Sequence, residues 1–288
     1  MKSTIARFIS KISPSLFFRI SYYHNRGKLL NLKDPQDLSA IWIKKLLNGE
    51  IKKNAWLADK YAVREYVRER VGEVILPDLI GTWDDPFKIN FSDLPEKFAL
   101  KMNYGAGMNI ICTDKNNFDI ENAIKKLNKW LSLPNYSFAE AHYNLIPRRI
   151  ICEEYISDKN GIYPTDYKVL CIKGEPFCIL ACMERASGNP KFTVYSTDWK
   201  WLPEYQKESP KEQKQLDKPE HLDEMLTIAR KLSKGLDLVR VDLYQGELVR
   251  KNKSCVLFGE MTLTPAGCIF HSWSQKALDD AAKFYYSH

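Results

Sequence analysis

The spacing of apolar residues along this chain changes character near its first third. Up to about residue 75 they recur every three or four positions. Ile5, Phe8, Ile9 and Ile12 make one stripe, and Leu16, Phe17, Ile20 and Tyr23 make a second. Ser13 between them suits the cap of the second helix, and Pro14 suits its first position. Further helices are predicted over 36–48 and 55–71, the latter with a charged face of Asp59-Lys60, Arg64-Glu65 and Arg68-Glu69-Arg70. Ile75-Leu76-Pro77, Gly81 and Asp84-Asp85-Pro86 then mark turns and a lobe boundary.

From Phe98 onward the pattern turns to short strands. Phe98–Met102 and Met108–Cys112 flank Tyr104-Gly105-Ala106-Gly107, a hairpin with a flexible tip. A helical period follows over 119–132, then a strand over Arg149–Ile156. Asp166–Ile172 and Pro176–Met183 flank Lys173-Gly174-Glu175, a second hairpin. The polar stretch 203–218 reads as an exposed loop or lid, Pro219 opens a helix to about Lys234, and strands over Leu238–Tyr244 and Cys255–Thr262 complete the pattern. Hairpins interspersed with helices predict an α+β fold, with antiparallel sheets in two lobes behind a helical N-terminal region.

Charge sharpens this picture at one end only. Residues 1–33 hold seven basic side chains (Lys2, Arg7, Lys11, Arg19, Arg26, Lys28, Lys33) and no acid, whereas the rest of the chain balances 36 basic against 36 acidic residues. A neutral body argues against binding nucleic acid through a broad basic face. The basic amphipathic pair suits peripheral contact with the inner face of a membrane; equally, it can pack on the body with its basic side to water. No apolar run reaches the roughly 20 residues of a membrane-spanning helix, and no uninterrupted signal-peptide core is read. The seven cysteines are odd in number, lie mostly in apolar runs and form no C-x-x-C pair, so free thiols in a reducing cytoplasm are expected. The five histidines lack metal-ligand spacing.

The last two strands carry the strongest chemistry. Alternation puts Arg240 and Asp242 on one face, and Glu260 and Thr262 on one face. If the strands pair, two carboxylates and a guanidinium converge, which suits Mg²⁺ and a phosphoryl group; Arg240 and Asp242 as an ordinary surface pair is the other reading. Lys101 ends an apolar strand before Gly105-Ala106-Gly107, where backbone N–H groups can approach phosphate oxygens. Lys168 sits inside an apolar strand and needs an anion, either Asp166 or a ligand. Glu153-Glu154-Tyr155-Ile156, at a strand end, could meet an adenine edge and a ribose hydroxyl, or be two exposed acids.

In this order the segments resemble the TupA-like ATP-grasp family. The matching pieces are Leu94-Pro95-Glu96-Lys97-Phe98-Ala99-Leu100-Lys101-Met102-Asn103-Tyr104-Gly105-Ala106-Gly107, Glu153-Glu154-Tyr155-Ile156, Asp166-Tyr167-Lys168, Val239-Arg240-Val241-Asp242-Leu243-Tyr244 and Phe258-Gly259-Glu260-Met261-Thr262, with Asp198-Trp199 between them. They span about 60–270. The resemblance implies a helical region over 1–75 and an ATP-grasp domain over 76–288, its small lobe about 94–156 and its larger lobe about 157–270. It also implies ATP and Mg²⁺ as cofactors. Lys101, Gly105, Ala106 and Gly107 would cover the phosphates; Glu153, Glu154, Tyr155 and Ile156 would form the adenine hinge; Asp166 would sit near the ribose and Lys168 at a phosphate. Asp242, Glu260 and Thr262 would hold the metal, and Arg240 would stabilise the phosphoryl group in flight. Three positions depart from the family pattern: Tyr104 and Ala106 stand where His and Ser are common, and Thr262 where an amide is usual.

The implied reaction is ATP-dependent ligation of a carboxylate to an amine through an acyl phosphate, in the biosynthesis of a surface polysaccharide such as a capsule or a teichuronopeptide-like polymer. A kinase acting on a glycan hydroxyl, or a membrane-docked binding module associated with a glycosyltransferase, are the alternatives. Arg148, Arg149 and Arg185 are candidates for gripping the carboxylate.

Overall fold

The computed structural model describes residues 12–158, 163–184, 189–248 and 255–288. The first basic helix, through Ile5, Phe8 and Ile9, lies outside them, as does Arg185. The second basic helix, α1 (Pro14–Arg26), begins and ends as its sequence dictates. The Ser13 hydroxyl accepts the Leu16 N–H at 3.3 Å, Pro14 opens the first turn, and Gly27 closes the last in a left-handed conformation at φ 68°. Asp37 caps α2 (Leu38–Leu47) by accepting the Ala40 N–H at 2.9 Å. A single turn, α3 (Glu50–Lys53), follows.

The helix expected over 55–71 is broken. Ala55–Ala58 make a 3₁₀ turn, and α4 covers Val63–Arg70. Asp59 causes the break: its Oδ1 accepts the Tyr61 N–H at 2.8 Å and the Ala62 N–H at 3.3 Å, local bonds that compete with a continuous helical ladder. The charged residues read as a solvated face are thereby redirected. Asp59, Lys60 and Arg64 point into the molecule, with Asp59 and Arg64 buried.

Eleven strands and three more helices follow among the described residues. They are β1 (Leu79–Trp83), β2 (Phe98–Met102), β3 (Asn109–Cys112), α5 (Ile120–Leu131), β4 (Ile150–Glu154) and β5 (Ile156–Ser157) in the first part. Then come β6 (Asp166–Ile172), β7 (Glu175–Met183), β8 (Lys191–Tyr195), α6 (Leu222–Ser233), β9 (Leu238–Gln245), β10 (Glu247–Leu248), β11 (Val256–Thr262) and α7 (Gln275–Ser287). They form a four-stranded sheet in the order β1-β4-β2-β3, a five-stranded sheet in the order β11-β9-β6-β7-β8, and the small pair β10-β5. Every strand pairing among the described residues is antiparallel, as the hairpin pattern predicts. Lys173 and Gly174, at φ 54° and 84°, make the tight β6–β7 turn.

Alternation on the five-stranded sheet separates its faces. Val169, Cys171, Val239 and Val241 are fully buried, and α6 covers that back face across β6, β7 and β9. The front face carries the polar residues of the site. Helix α2 packs on α7, so the N-terminal helices share one core with the C-terminal end of the chain.

Two edge strands lie where the pattern gives only turns or nothing. β1 pairs with β4 through a bulge between Leu79 and Gly81, and β8 borders the larger sheet. The stretch expected as an exposed loop or lid is a largely exposed strap packed along β8. Gln206 is buried, with its Oε1 accepting the Val194 N–H at 3.2 Å and its Nε2 donating to the Phe192 carbonyl at 3.0 Å. Thr193 Oγ1 donates to the Lys214 carbonyl at 2.6 Å, and the Leu216 N–H to the Tyr195 hydroxyl at 2.6 Å. Trp199, one half of the family-like Asp198-Trp199, stacks on Tyr195 at 4.0 Å beneath this strap.

His142, in the 3₁₀ segment Phe138–Leu145, is buried against Tyr143, and neither ring nitrogen has a hydrogen-bond partner. Burial therefore lowers its pKa from 6.5 to about 4. Between those values the unfolded chain binds a proton that the folded one refuses, so stability is full above pH 6.5 and falls as the pH drops toward 4. Replacing His142 by Leu should remove about 3 kcal/mol of that acid-side loss. Urea midpoints of parent and variant, measured from pH 7.5 to 4.5, should diverge most at the acid end, where the parent alone falls; parallel curves would refute the assignment.

Candidate active site

Glu260 reaches the site through a bulge. Phe258 pairs with Leu243 and Glu260 with Asp242, so one extra residue, Gly259, is accommodated on β11. Without it Glu260 would oppose Val241 and point to the apolar back face. With it, Glu260 lies beside Asp242, and Thr262 beside Arg240. The position admits little but glycine: a Cβ there would stand 2.7 Å from the Tyr244 ring and 3.0 Å from the Asp242 carbonyl oxygen.

The register of β6 against β9 sets Lys168 opposite Asp242 and Asp166 opposite Tyr244. Lys168 Nζ donates to Asp166 Oδ2 and Asp242 Oδ2, each at 2.6 Å. Arg240 donates to the same Asp242 carboxylate, from Nε to Oδ1 at 2.7 Å and from Nη2 to Oδ2 at 2.6 Å, and from Nη2 to Thr262 Oγ1 at 3.0 Å. Asp242 is thus enclosed, with its side chain 1 % exposed, while Glu260 remains 26 % exposed toward the cleft. Burial alone would raise the Glu260 pKa, but Lys60, Lys168 and Arg240 outweigh it and hold the carboxyl at about 2. For Lys168 burial works to lower the pKa, and the two aspartates overcome it, so the ammonium stays charged.

The four-stranded sheet faces this cluster across a cleft of about 350 Å³. Lys101 Nζ donates to Glu153 Oε2 at 2.7 Å, and Arg64 Nη1 to Glu153 Oε1 at 2.8 Å. The Glu153 carboxylate therefore holds Lys101 in place, and what the chain offers the neighbouring slot comes from Glu154, Tyr155 and Ile156. That narrow slot is walled by Ala99 and Ile111 on one side and by Tyr163 and Tyr244 on the other. Gly105, Ala106 and Gly107 line the main cleft, with Gly105 and Gly107 in left-handed conformations at φ 70° and 73°.

Lys60 is the residue that pattern reading misses. It bridges the two sheets, with Nζ 3.1 Å from Glu260 Oε2 and 2.8 Å from the Gly105 carbonyl. Its own backbone N–H donates to the Asn103 carbonyl at 2.8 Å, and the Asn103 amide donates to Asp59 Oδ1 at 2.9 Å. The signal was the Asp59-Lys60 pair itself, which a helical reading assigns to solvent.

At its far end the cleft is bounded by a strained turn after β11. Ala266, Gly267, Cys268 and Phe270 all have positive φ, between 51° and 66°. Arg26 of α1 holds this turn, donating to the carbonyls of Ile269 and Phe270 at 2.6 Å and of Trp273 at 2.7 Å. Arg148 is spent elsewhere, on the Leu131 and Leu133 carbonyls, and Arg149 lies over the Tyr61 ring at 4.3 Å. Neither is placed to grip a ligand at that end.

Among the described residues no group of three or more His, Cys, Asp or Glu could hold a metal ion by itself. The donors present fit a hard divalent cation that brings other oxygens with it: Glu260, Asp242 after exchange of a cation, and the Thr262 hydroxyl. The model of one protein family, described as TupA-like ATPgrasp, matches residues 40–282. The chain belongs to the TupA-like ATP-grasp family.

Solved structures similar to this TupA-like protein include D-alanine–D-alanine ligase from Bacillus anthracis, at 16 % identity and a TM-score of 0.45, covering 87 % of this chain and 65 % of that one. N5-carboxyaminoimidazole synthetase from Staphylococcus aureus is 11 % identical with a TM-score of 0.42, covering 73 % and 45 %. The ATP-grasp ligase PsnB is 11 % identical with a TM-score of 0.43, covering 86 % and 66 %. The chain thus spans less than two thirds of the first two structures. No curated protein matches it.

The departures from the TupA-like pattern have plain local settings. Tyr104 turns away from the cleft, its hydroxyl donating to the Trp130 carbonyl at 2.6 Å and its ring lying under Arg148. It anchors the glycine loop to α5, leaving Ala106 at the tip. Thr262 stands on the site face between Arg240 and Glu260. Gly259→Ala should cost about 1–3 kcal/mol through overpacking at the bulge. It should lower the urea midpoint at unchanged m value, and an unaltered midpoint would show that the bulge is not confined as described.

Proposed function

We propose that this TupA-like protein binds ATP with Mg²⁺ in the cleft and joins a carboxylate to an amine, in the biosynthesis of a surface polysaccharide such as a capsule or a teichuronopeptide-like polymer. The observation that carries the reading is the meeting of four cations, Lys60, Lys101, Lys168 and Arg240, with Glu260 and Asp242 around one cleft. Such a set neutralises polyphosphate, and it is held in place before any ligand arrives.

In this reading the adenine enters the slot beside Glu154, Tyr155 and Ile156, and Asp166 lies toward the ribose. Lys101 and the Gly105–Gly107 backbone cover the phosphates. Glu260, Asp242 and Thr262 would hold Mg²⁺, which would supply positive charge to offset that of the phosphates. An acceptor carboxylate oxygen attacks the γ-phosphorus and ADP leaves; an amine nitrogen then attacks the acyl carbon and phosphate leaves. Lys168 and Arg240, fixed by shared carboxylates, stand where charge grows on the transferred group. Closure over the cleft keeps water from the acyl phosphate. Arg26 and Arg148 are committed to backbone carbonyls, so an uncharged acceptor hydroxyl, hence a kinase, is the second reading.

At 100-fold excess of MgATP over its Kd the parent protein should gain about 2.7 kcal/mol, a rise of several degrees in Tm. Lys101→Ala and Glu260→Ala should each lose most of that rise, and no rise in the parent overturns the proposal. ADP release that depends on both a carboxylate and an amine supports the ligase; release with a hydroxyl acceptor alone supports the kinase.

A further inference from the structure

Helix α1 has two apolar faces, and among the described residues only one is covered. Phe18 and Tyr22, 0 % and 3 % exposed, pack on the body. On the opposite side Ile12, Leu16, Ile20 and Tyr23 are 68 %, 47 %, 37 % and 57 % exposed. With 3.6 residues per turn Leu16, Ile20 and Tyr23 fall within an arc of roughly 60°, and Ile12 lies just before the Ser13 cap. Leu29, just past the Gly27 cap, is 83 % exposed. A helix at the surface of a water-soluble body normally shows water a polar face.

The frame of this stripe is basic. Arg19 and His24 flank it on the helix, Lys28 follows, and residues 1–33 contain no acid. One further cation closes on the same end of the helix: Lys207 Nζ donates to the Asn25 carbonyl at 3.2 Å. An apolar stripe bordered by cations complements a surface that presents negative headgroups over hydrocarbon. A second copy of the chain would bring two like-charged frames together, and a nucleic acid would leave the stripe uncovered. Among the described residues no helix is long and apolar enough to cross a membrane, so the contact is one of lying on the surface.

We propose that the exposed face of α1, with Leu29, docks this protein on an anionic lipid bilayer. The inference stands independently of the ATP reading. Because Arg26 ties the same helix to the strained turn at the far end of the cleft, docking sets that end about one helix diameter, ~10 Å, from the lipid surface.

The test is cosedimentation of the full chain with vesicles of phosphatidylcholine alone or with about one quarter phosphatidylglycerol. The parent should pellet with the anionic vesicles, remain in solution with the neutral ones, and be released at high salt, where charges are screened. Leu16→Glu/Ile20→Glu, and separately Leu29→Glu, should lower partitioning at least ten-fold while leaving the thermal midpoint unchanged. Arg19→Glu/Lys28→Glu should do the same through charge alone. A parent that stays in solution with anionic vesicles overturns the proposal, as do variants that fold normally and still pellet. A concentration-dependent dimer abolished by Leu16→Glu overturns it in favour of a second copy as the occupant.

Discussion

The Lys168 ammonium, closed between Asp166 and Asp242, is the interaction on which the rest of the site depends. Removing such charges from water costs several kcal/mol per ion, and only close opposite charges with good hydrogen bonds offset that cost. The offset exists here because β6, β9 and β11 stand in one register. A slip of one residue would send Lys168, Asp242 and Arg240 to the face that α6 covers, each without a partner. Fixing the sheet and assembling the charge cluster are therefore a single constraint. Arg240 adds a second clamp on Asp242, which leaves Glu260 as the carboxylate with room to accept something from the cleft.

Contact between the two sheets across the cleft is of a different kind. Lys60 joins Glu260 to the glycine loop through two polar bonds, and under the proposed function phosphate oxygens and a divalent cation would take their places. Within the smaller sheet the Arg64–Glu153–Lys101 chain is buried and self-contained, so Lys101 is delivered to the cleft by a rigid support. The site combines a fixed floor, a fixed lysine overhead and one exchangeable bridge.

Much of this was legible in the sequence because strands with mixed character betray their faces. Arg240 and Asp242 among Val239, Val241 and Leu243 could only share the front of a sheet, and Lys168 in an apolar run required an anion. The family motifs then fixed the order of the pieces, and with it the fold. Other parts were illegible for physical reasons. Asp59, Lys60 and Arg64 occur at a spacing that also describes a solvated helix face, and only the Asp59 cap shows that no continuous helix exists. Glu153 reads as a strand-end acid free for a ligand, yet its diagonal neighbour Lys101 and the distant Arg64 claim both oxygens. The bulge at Gly259 leaves the alternation of Glu260 and Thr262 intact, while the placement of Glu260 beside Asp242 depends wholly on it. β1 and β8 are five-residue edge strands, too short and too mixed to rise above their flanking turns.

The strap along β8 has a bearing on the life of the chain outside its chemistry. An outer strand shows a row of unpaired amides and carbonyls, a template on which another extended chain can add. The Gln206 side chain imitates such a chain, giving an acceptor to Val194 and a donor to Phe192, and thereby occupies the template from within the molecule. The polar stretch from 203 to 218 thus guards against self-association, and its loss would be felt first as aggregation, with the charge cluster on the far strands still intact.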